Sequence, residues 1–136
     1  MSYYAVNSHG GIDAPLVKAF QKAKQICTEE RKDEIIFIAD EKHIFENVIH
    51  QDKEIGSLFK QLLAQKSIQI DSITISYATL RTIPQGTSGI IILVYASPQL
   101  IGAMDLISGC FDCILVPWMK REFESFVKLY NANVIE

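Results

Sequence analysis

Gly89-Ile90-Ile91-Ile92-Leu93-Val94-Tyr95-Ala96-Ser97-Pro98 is the stretch that decides the fold. Ile90 to Tyr95 is an unbroken apolar run, and a second run, Cys113 to Val116, follows one helix length later. A strand with one wet face alternates apolar and polar residues. A run without alternation is buried on both faces, as the central strands of parallel sheets are. Between the runs, Ser97-Pro98 joins a good helix N-cap to the residue favoured at the first helical position. Gly109 stands where a left-handed C-cap would close that helix. The unit reads as strand, helix, strand.

Working outward, Tyr3 to Asn7 forms a short strand that runs into Ser8-His9-Gly10-Gly11, a glycine turn. Asp13 caps the next helix, with Pro15 in its first turn and Ile12 as a hydrophobic staple. Leu16, Phe20, Ala23 and Cys27 draw one apolar stripe along it. Ile35 to Ala39 is a second buried strand, ending at Asp40. Glu41 to Gln65 is helical in period but carries two apolar faces, one around Phe45 and Val48 and one around Phe59 and Leu62. A break is expected between them, at His50-Gln51-Asp52-Lys53.

Ile68, Ile70, Ile73, Ile75 and Tyr77 make a third strand with a wetter face. The link Thr79 to Gly89 has no helical period and is shorter than the dozen or more residues a parallel crossover normally takes. This strand is therefore expected to be antiparallel or at an edge. Lys120 to Tyr130 is a final helix with Phe123, Phe126, Val127 and Tyr130 on one face, and Asn133 to Glu136 either adds an edge strand or frays.

The element order predicts one α/β domain over residues 1–136. It would be a three-layer sandwich around a mostly parallel sheet of about five strands, with one antiparallel edge strand allowed. It resembles Rossmann-like and flavodoxin-like domains in element order alone, which carries no function.

Composition narrows the function classes. The chain has 136 residues, 49% apolar and 21% charged, with a net charge of −3. That suits a folded globular domain. Its lysines and arginines are scattered, which argues against nucleic acid and anionic membranes as partners. No apolar run approaches the roughly 18 residues of a membrane helix. The N-terminus lacks a signal-peptide pattern, and three cysteines suit a reducing compartment, so the expectation is cytoplasmic.

In open parallel sheets, ligands bind beyond the carboxyl ends of the strands, where the strand order switches. That rule selects Ser8, His9, Gly10 and Gly11 after the first strand, Asp40 and Glu41 after the second, Tyr95, Ala96 and Ser97 after the central one, and Pro117 and Trp118 after the last. If the first and central strands are neighbours, His9 and Ser97 face each other. The glycine turn leads into a helix N-terminus, which favours an anion, so the expected ligand is a nucleotide or phosphorylated metabolite. Against it, the turn is not G-x-G-x-x-G, and Asp13 adds a negative charge nearby. The bland alternative is a turn that only lets strand and helix pack.

If there is catalysis, His9 is the candidate acid or base, its ordinary pKa lying nearest neutrality. No cofactor is specified. His43, Glu46 and His50 would share one helix face, but a solvated one, so no metal is assigned. Cys110 and Cys113 have C-x-x-C spacing at a helix C-terminus, the wrong end for a low-pKa thiol, and are expected to be buried structural residues. Trp118, the single tryptophan, suits a pocket floor, an interface anchor or packing over the last helix. The rival reading is a non-catalytic interaction module, forming a homodimer or covering its C-terminal edge strand with a partner.

Overall fold

The computed structural model describes residues 2–7, 14–51 and 53–136. It contains β1 (Tyr3–Val6), α1 (Ala14–Glu30), β2 (Glu34–Ala39), α2 (Lys42–Gln51), α3 (Lys53–Gln65), β3 (Ser67–Ile70) and β4 (Ile73–Thr79). After these come β5 (Ile90–Val94), α4 (Pro98–Ala103), β6 (Asp112–Val116), α5 (Lys120–Tyr130) and β7 (Asn133–Ile135). One seven-stranded sheet runs in the order β3-β4-β2-β5-β6-β1-β7. Every pair is parallel except β3 with β4.

All residues of β5 and β6 are buried, as unbroken apolar runs require. Alternate side chains feed two separate cores. Ile35, Phe37, Ile90, Ile92, Ile114 and Val116 pack under α1, α2 and α3 on one face. Ile36, Ile38, Ile91, Leu93, Cys113 and Leu115 pack under α4, α5 and the 80–89 link on the other. The architecture is a three-layer α/β sandwich. Among the described residues, no helix is long and apolar enough to cross a membrane.

Four expectations are adjusted. The strand count rises from about five to seven because the third strand is a hairpin and the tail is a strand, β7, beside β1. The hairpin turns at Asp71 and Ser72, whose φ angles of 51° and 68° make a type I′ turn. β3 is the antiparallel edge, whereas β4 lies parallel to β2. The short 80–89 link is thus a genuine parallel crossover. About ten residues at 3.3–3.6 Å each reach more than 30 Å, enough to cross the sheet without a helix. Leu80 and Ile83 of this link pack on the second core and do the covering a helix would otherwise do.

Gly109 does not cap α4, which ends at Ala103 and passes into a 3-10 turn at Met104–Leu106. The first and central strands are not neighbours either, because β6 lies between β1 and β5.

The break between α2 and α3 falls where expected. A Cβ placed on Gly56 would sit 2.9 Å from the Ile49 carbonyl oxygen. Residues seven apart in a continuous helix are about 10.5 Å apart along its axis, so the chain has turned back on itself.

Connections leaving β2 pass to the first face and those leaving β5 to the second, although the two strands are adjacent and parallel. The ends of β2 and β5 therefore flank a switch in strand order, the place where such sheets open a crevice.

Candidate functional site

Asp40 and Ser97 leave the two strands that flank this crevice and bind each other. The Ser97 amide donates to Asp40 Oδ2 at 2.9 Å, and Ser97 Oγ donates to Oδ1 at 2.5 Å. Ser97 Oγ also accepts the Leu100 amide at 3.2 Å, so it caps α4 as its sequence context predicts. With its hydroxyl held between a carboxylate and an amide, Ser97 is a positioning residue rather than an activated nucleophile. Asp40 ties the end of β2 to the start of α4.

Tyr95, the residue after β5, is the unusual feature of this edge. Its φ is +50°, left-handed backbone that a bulky side chain adopts at a cost of roughly 1–2 kcal/mol. The surroundings hold it there. Its amide donates to the Val116 carbonyl at 3.0 Å, and its ring meets Trp118 edge to face, with centroids 5.0 Å apart and planes at 81°. Substitutions should expose the strain. Tyr95→Ala and Tyr95→Gly both remove the ring, yet the glycine variant is expected to be more stable by about 1 kcal/mol in urea unfolding. This reverses the usual order, in which glycine is the less stable of the two. Equal stabilities would remove the strain argument.

Trp118 is fixed from the other side. Glu122 Oε1 accepts the amides of Trp118 at 3.0 Å and Met119 at 2.8 Å, closing the start of α5 as a capping glutamate does. Trp118 itself is 47% exposed. A pocket of about 420 Å³ opens between these groups. Asp40, Ile44, Asn47 and Val48 line it from the β2 end, Tyr95 to Pro98 from the β5 end, and Trp118 and Glu122 from beyond β6. Its volume falls in the small-ligand range. The wall is apolar and aromatic, with two carboxylates and, among the described residues, no lysine or arginine.

The structure thus brings together Asp40, Tyr95, Ala96, Ser97 and Trp118 of the residues selected from sequence. Ser8, His9, Gly10 and Gly11 lie outside the described residues. The strand-end rule selects Tyr95 as well, but neither its left-handed backbone nor its contact with Trp118 is foreseen from the sequence; Glu122, which reads as the polar face of an amphipathic helix, is missed. The capping spacing from Met119 to Glu122 was the available signal for the latter.

His43, Glu46 and His50 are exposed on α2, with His43 Nδ1 2.9 Å from Glu41, and no group of three metal-ligating side chains occurs among the described residues. Cys113 is fully buried, and burial, reinforced by neighbouring Asp112, pushes its thiol far above the ordinary range. Cys110 departs from expectation in being exposed, since it lies in the loop before β6 rather than within it.

At the opposite end of the sheet, Lys32 Nζ lies 3.2 Å from Asp112 Oδ2 and reaches the carbonyls of Gly89 and Cys110, each at 3.4 Å. This ties the start of β2 to those of β5 and β6. Compared with known protein families, curated proteins and solved structures, the chain shows no match.

Proposed function

We propose that the chain binds a small molecule in the pocket formed by Asp40, Tyr95, Ser97 and Trp118. The observation that carries this reading is Tyr95, held in left-handed backbone where its ring and the half-exposed Trp118 wall a pocket beside the strand-order switch. Backbone strain of this kind persists where surrounding structure enforces it, and it concentrates at binding sites. The described wall suits the flat apolar part of a ligand. An anionic part, as in a nucleotide or phosphorylated metabolite, finds only carboxylates among the described lining residues, so that part of the proposal depends on Ser8, His9, Gly10 and Gly11. No reaction is assigned.

A thermal-shift screen over nucleotides, phosphorylated metabolites and aromatic amines tests the reading, run on the natural chain and on Tyr95→Gly. A ligand at a hundred times its dissociation constant adds about 2.7 kcal/mol, several degrees in a domain of this size. The expected result is a shift in the natural chain that Tyr95→Gly abolishes. A shift preserved in the variant would place binding elsewhere.

The interaction-module reading has its own observation. Leu129 and Val134, 75% and 43% exposed, flank the turn into the edge strand β7. Sedimentation equilibrium decides it: concentration-dependent dimers support it, and a monomer throughout removes it.

A further inference from the structure

We propose that the head group this pocket selects is a cation, a primary ammonium or guanidinium carried on a flat apolar body. The inference rests on the reading of the pocket as a binding site and names the class of ligand it takes. Asp40 and Glu122 line opposite sides of the pocket, from beyond β2 and beyond β6, with the end of β5 between them. Adjacent strands are about 4.8 Å apart, so the ends of β2 and β6, from which the chain runs on to Asp40 and to Glu122, are roughly 10 Å apart, a span that leaves room for a small organic molecule.

Both carboxylates are oriented by hydrogen bonds from neutral donors, Asp40 by Ser97 and Glu122 by the Trp118 and Met119 amides. Neither is ion-paired among the described residues. The Glu122 bonds both end on Oε1, which leaves Oε2 for a ligand donor. Lining the same pocket, the Trp118 ring meets Tyr95 nearly at right angles and is 47% exposed, so Trp118 offers aromatic surface to a ligand. Aromatic faces attract cations through their quadrupoles, and the adjacent carboxylates act in the same sense. An anion in the same place meets two like charges.

Three probes sharing one aromatic body separate the possibilities: phenethylammonium, 2-phenylethanol and phenylacetate. Each is titrated at millimolar concentrations against the fluorescence of Trp118, the only tryptophan in the chain. Phenethylammonium is expected to bind roughly fivefold more tightly than the alcohol, with phenylacetate weakest. Glu122→Gln keeps an oxygen for the Trp118 and Met119 amides, since glutamine serves in the same capping role, but loses the charge. It should remove most of the cation's advantage and leave the alcohol unchanged. Phenylacetate binding most tightly, or a cation advantage that survives in both Glu122→Gln and Asp40→Asn, would overturn the head-group assignment while the pocket reading stands. If none of the three perturbs Trp118, both fail.

Discussion

Replacing Lys32 with methionine is expected to cost about 3 kcal/mol of stability in urea unfolding, although Lys32 lies at the end of the sheet away from the pocket. Its partner Asp112 has a side chain only 4% exposed, at the first position of β6. Asp112 Oδ1 accepts the Ser2 amide at 2.8 Å, while Oδ2 has the Lys32 charge at 3.2 Å and no hydrogen bond. Methionine keeps the length of the side chain but strands a buried carboxylate. Breaking a buried pair from one side typically costs about 3–5 kcal/mol. We take the low end because the Lys32 side chain, 16% exposed, is partly screened by solvent.

Adding Asp112→Asn to Lys32→Met should recover part of the loss, since it removes the stranded charge. The pH dependence has a definite sign. Burial pushes the Asp112 carboxyl upward, but the Ser2 amide, Glu30 and Lys32 outweigh it and hold the group below its ordinary value. Its contribution is present above the unfolded value of about 3.9 and lost as pH falls through the lower folded value. Glu30 acts in the opposite sense, held above its ordinary value by the neighbouring Asp112 carboxyl, so its contribution fades as pH rises. The difference between the natural chain and Lys32→Met should therefore narrow below about pH 4. A loss under about 1 kcal/mol at neutral pH would show that solvent already neutralises the pair.

Gly109→Ala is expected to destabilise by a similar amount, about 3 kcal/mol, for a purely steric reason. Gly109 has φ +110°, and a Cβ there would overlap severely with the Thr87 carbonyl oxygen. Neither can move freely. The Thr87 amide donates to the Ser108 carbonyl and the Ser108 amide to the Gln85 carbonyl, each at 2.9 Å, which pins the crossover link against the loop before β6. Strained backbone alone costs about 1–3 kcal/mol, and the clash adds to it. Gly102→Ala is the control. It lies inside α4 with nothing near its Cβ position, and it should raise stability by about 0.5–1 kcal/mol. Two variants of one chemical change should thus move the melting temperature in opposite directions. Equal effects would contradict the account of Gly109.

These cases show which features a sequence carries. The runs at Ile90 and Cys113 have one explanation, burial on both faces, and the α1 stripe has one helical period, so the layers were legible. The hairpin was legible in retrospect. The apolar positions step by two from Ile68 to Ile70 and from Ile73 to Ile75, but by three between Ile70 and Ile73. That change of parity marks a turn, yet Asp71-Ser72 lacks the glycine that usually signals one.

Strand order was not legible. Parallel neighbours are joined through crossovers of variable reach, and nothing in the composition of β1 says that it pairs with β6 rather than β5. At the site, Asp40, Tyr95 and Ser97 all follow from the strand-end rule, but the strain at Tyr95 does not, because left-handed backbone at an aromatic residue leaves no compositional trace. Gly109 misled because glycine marks positive φ wherever it is needed, at a helix end or at a close approach between loops.

The most direct test of the central claim is an amide-correlation NMR spectrum of the 15N-labelled protein, recorded with and without a compound found by thermal shift. The single Trp118 indole signal and the amides of Tyr95, Ala96 and Ser97 report on the pocket, while Lys32 and Asp112 report on the opposite end of the sheet. The account predicts that saturating ligand moves the first group and leaves the second in place. Shifts confined to the Lys32 end would contradict it.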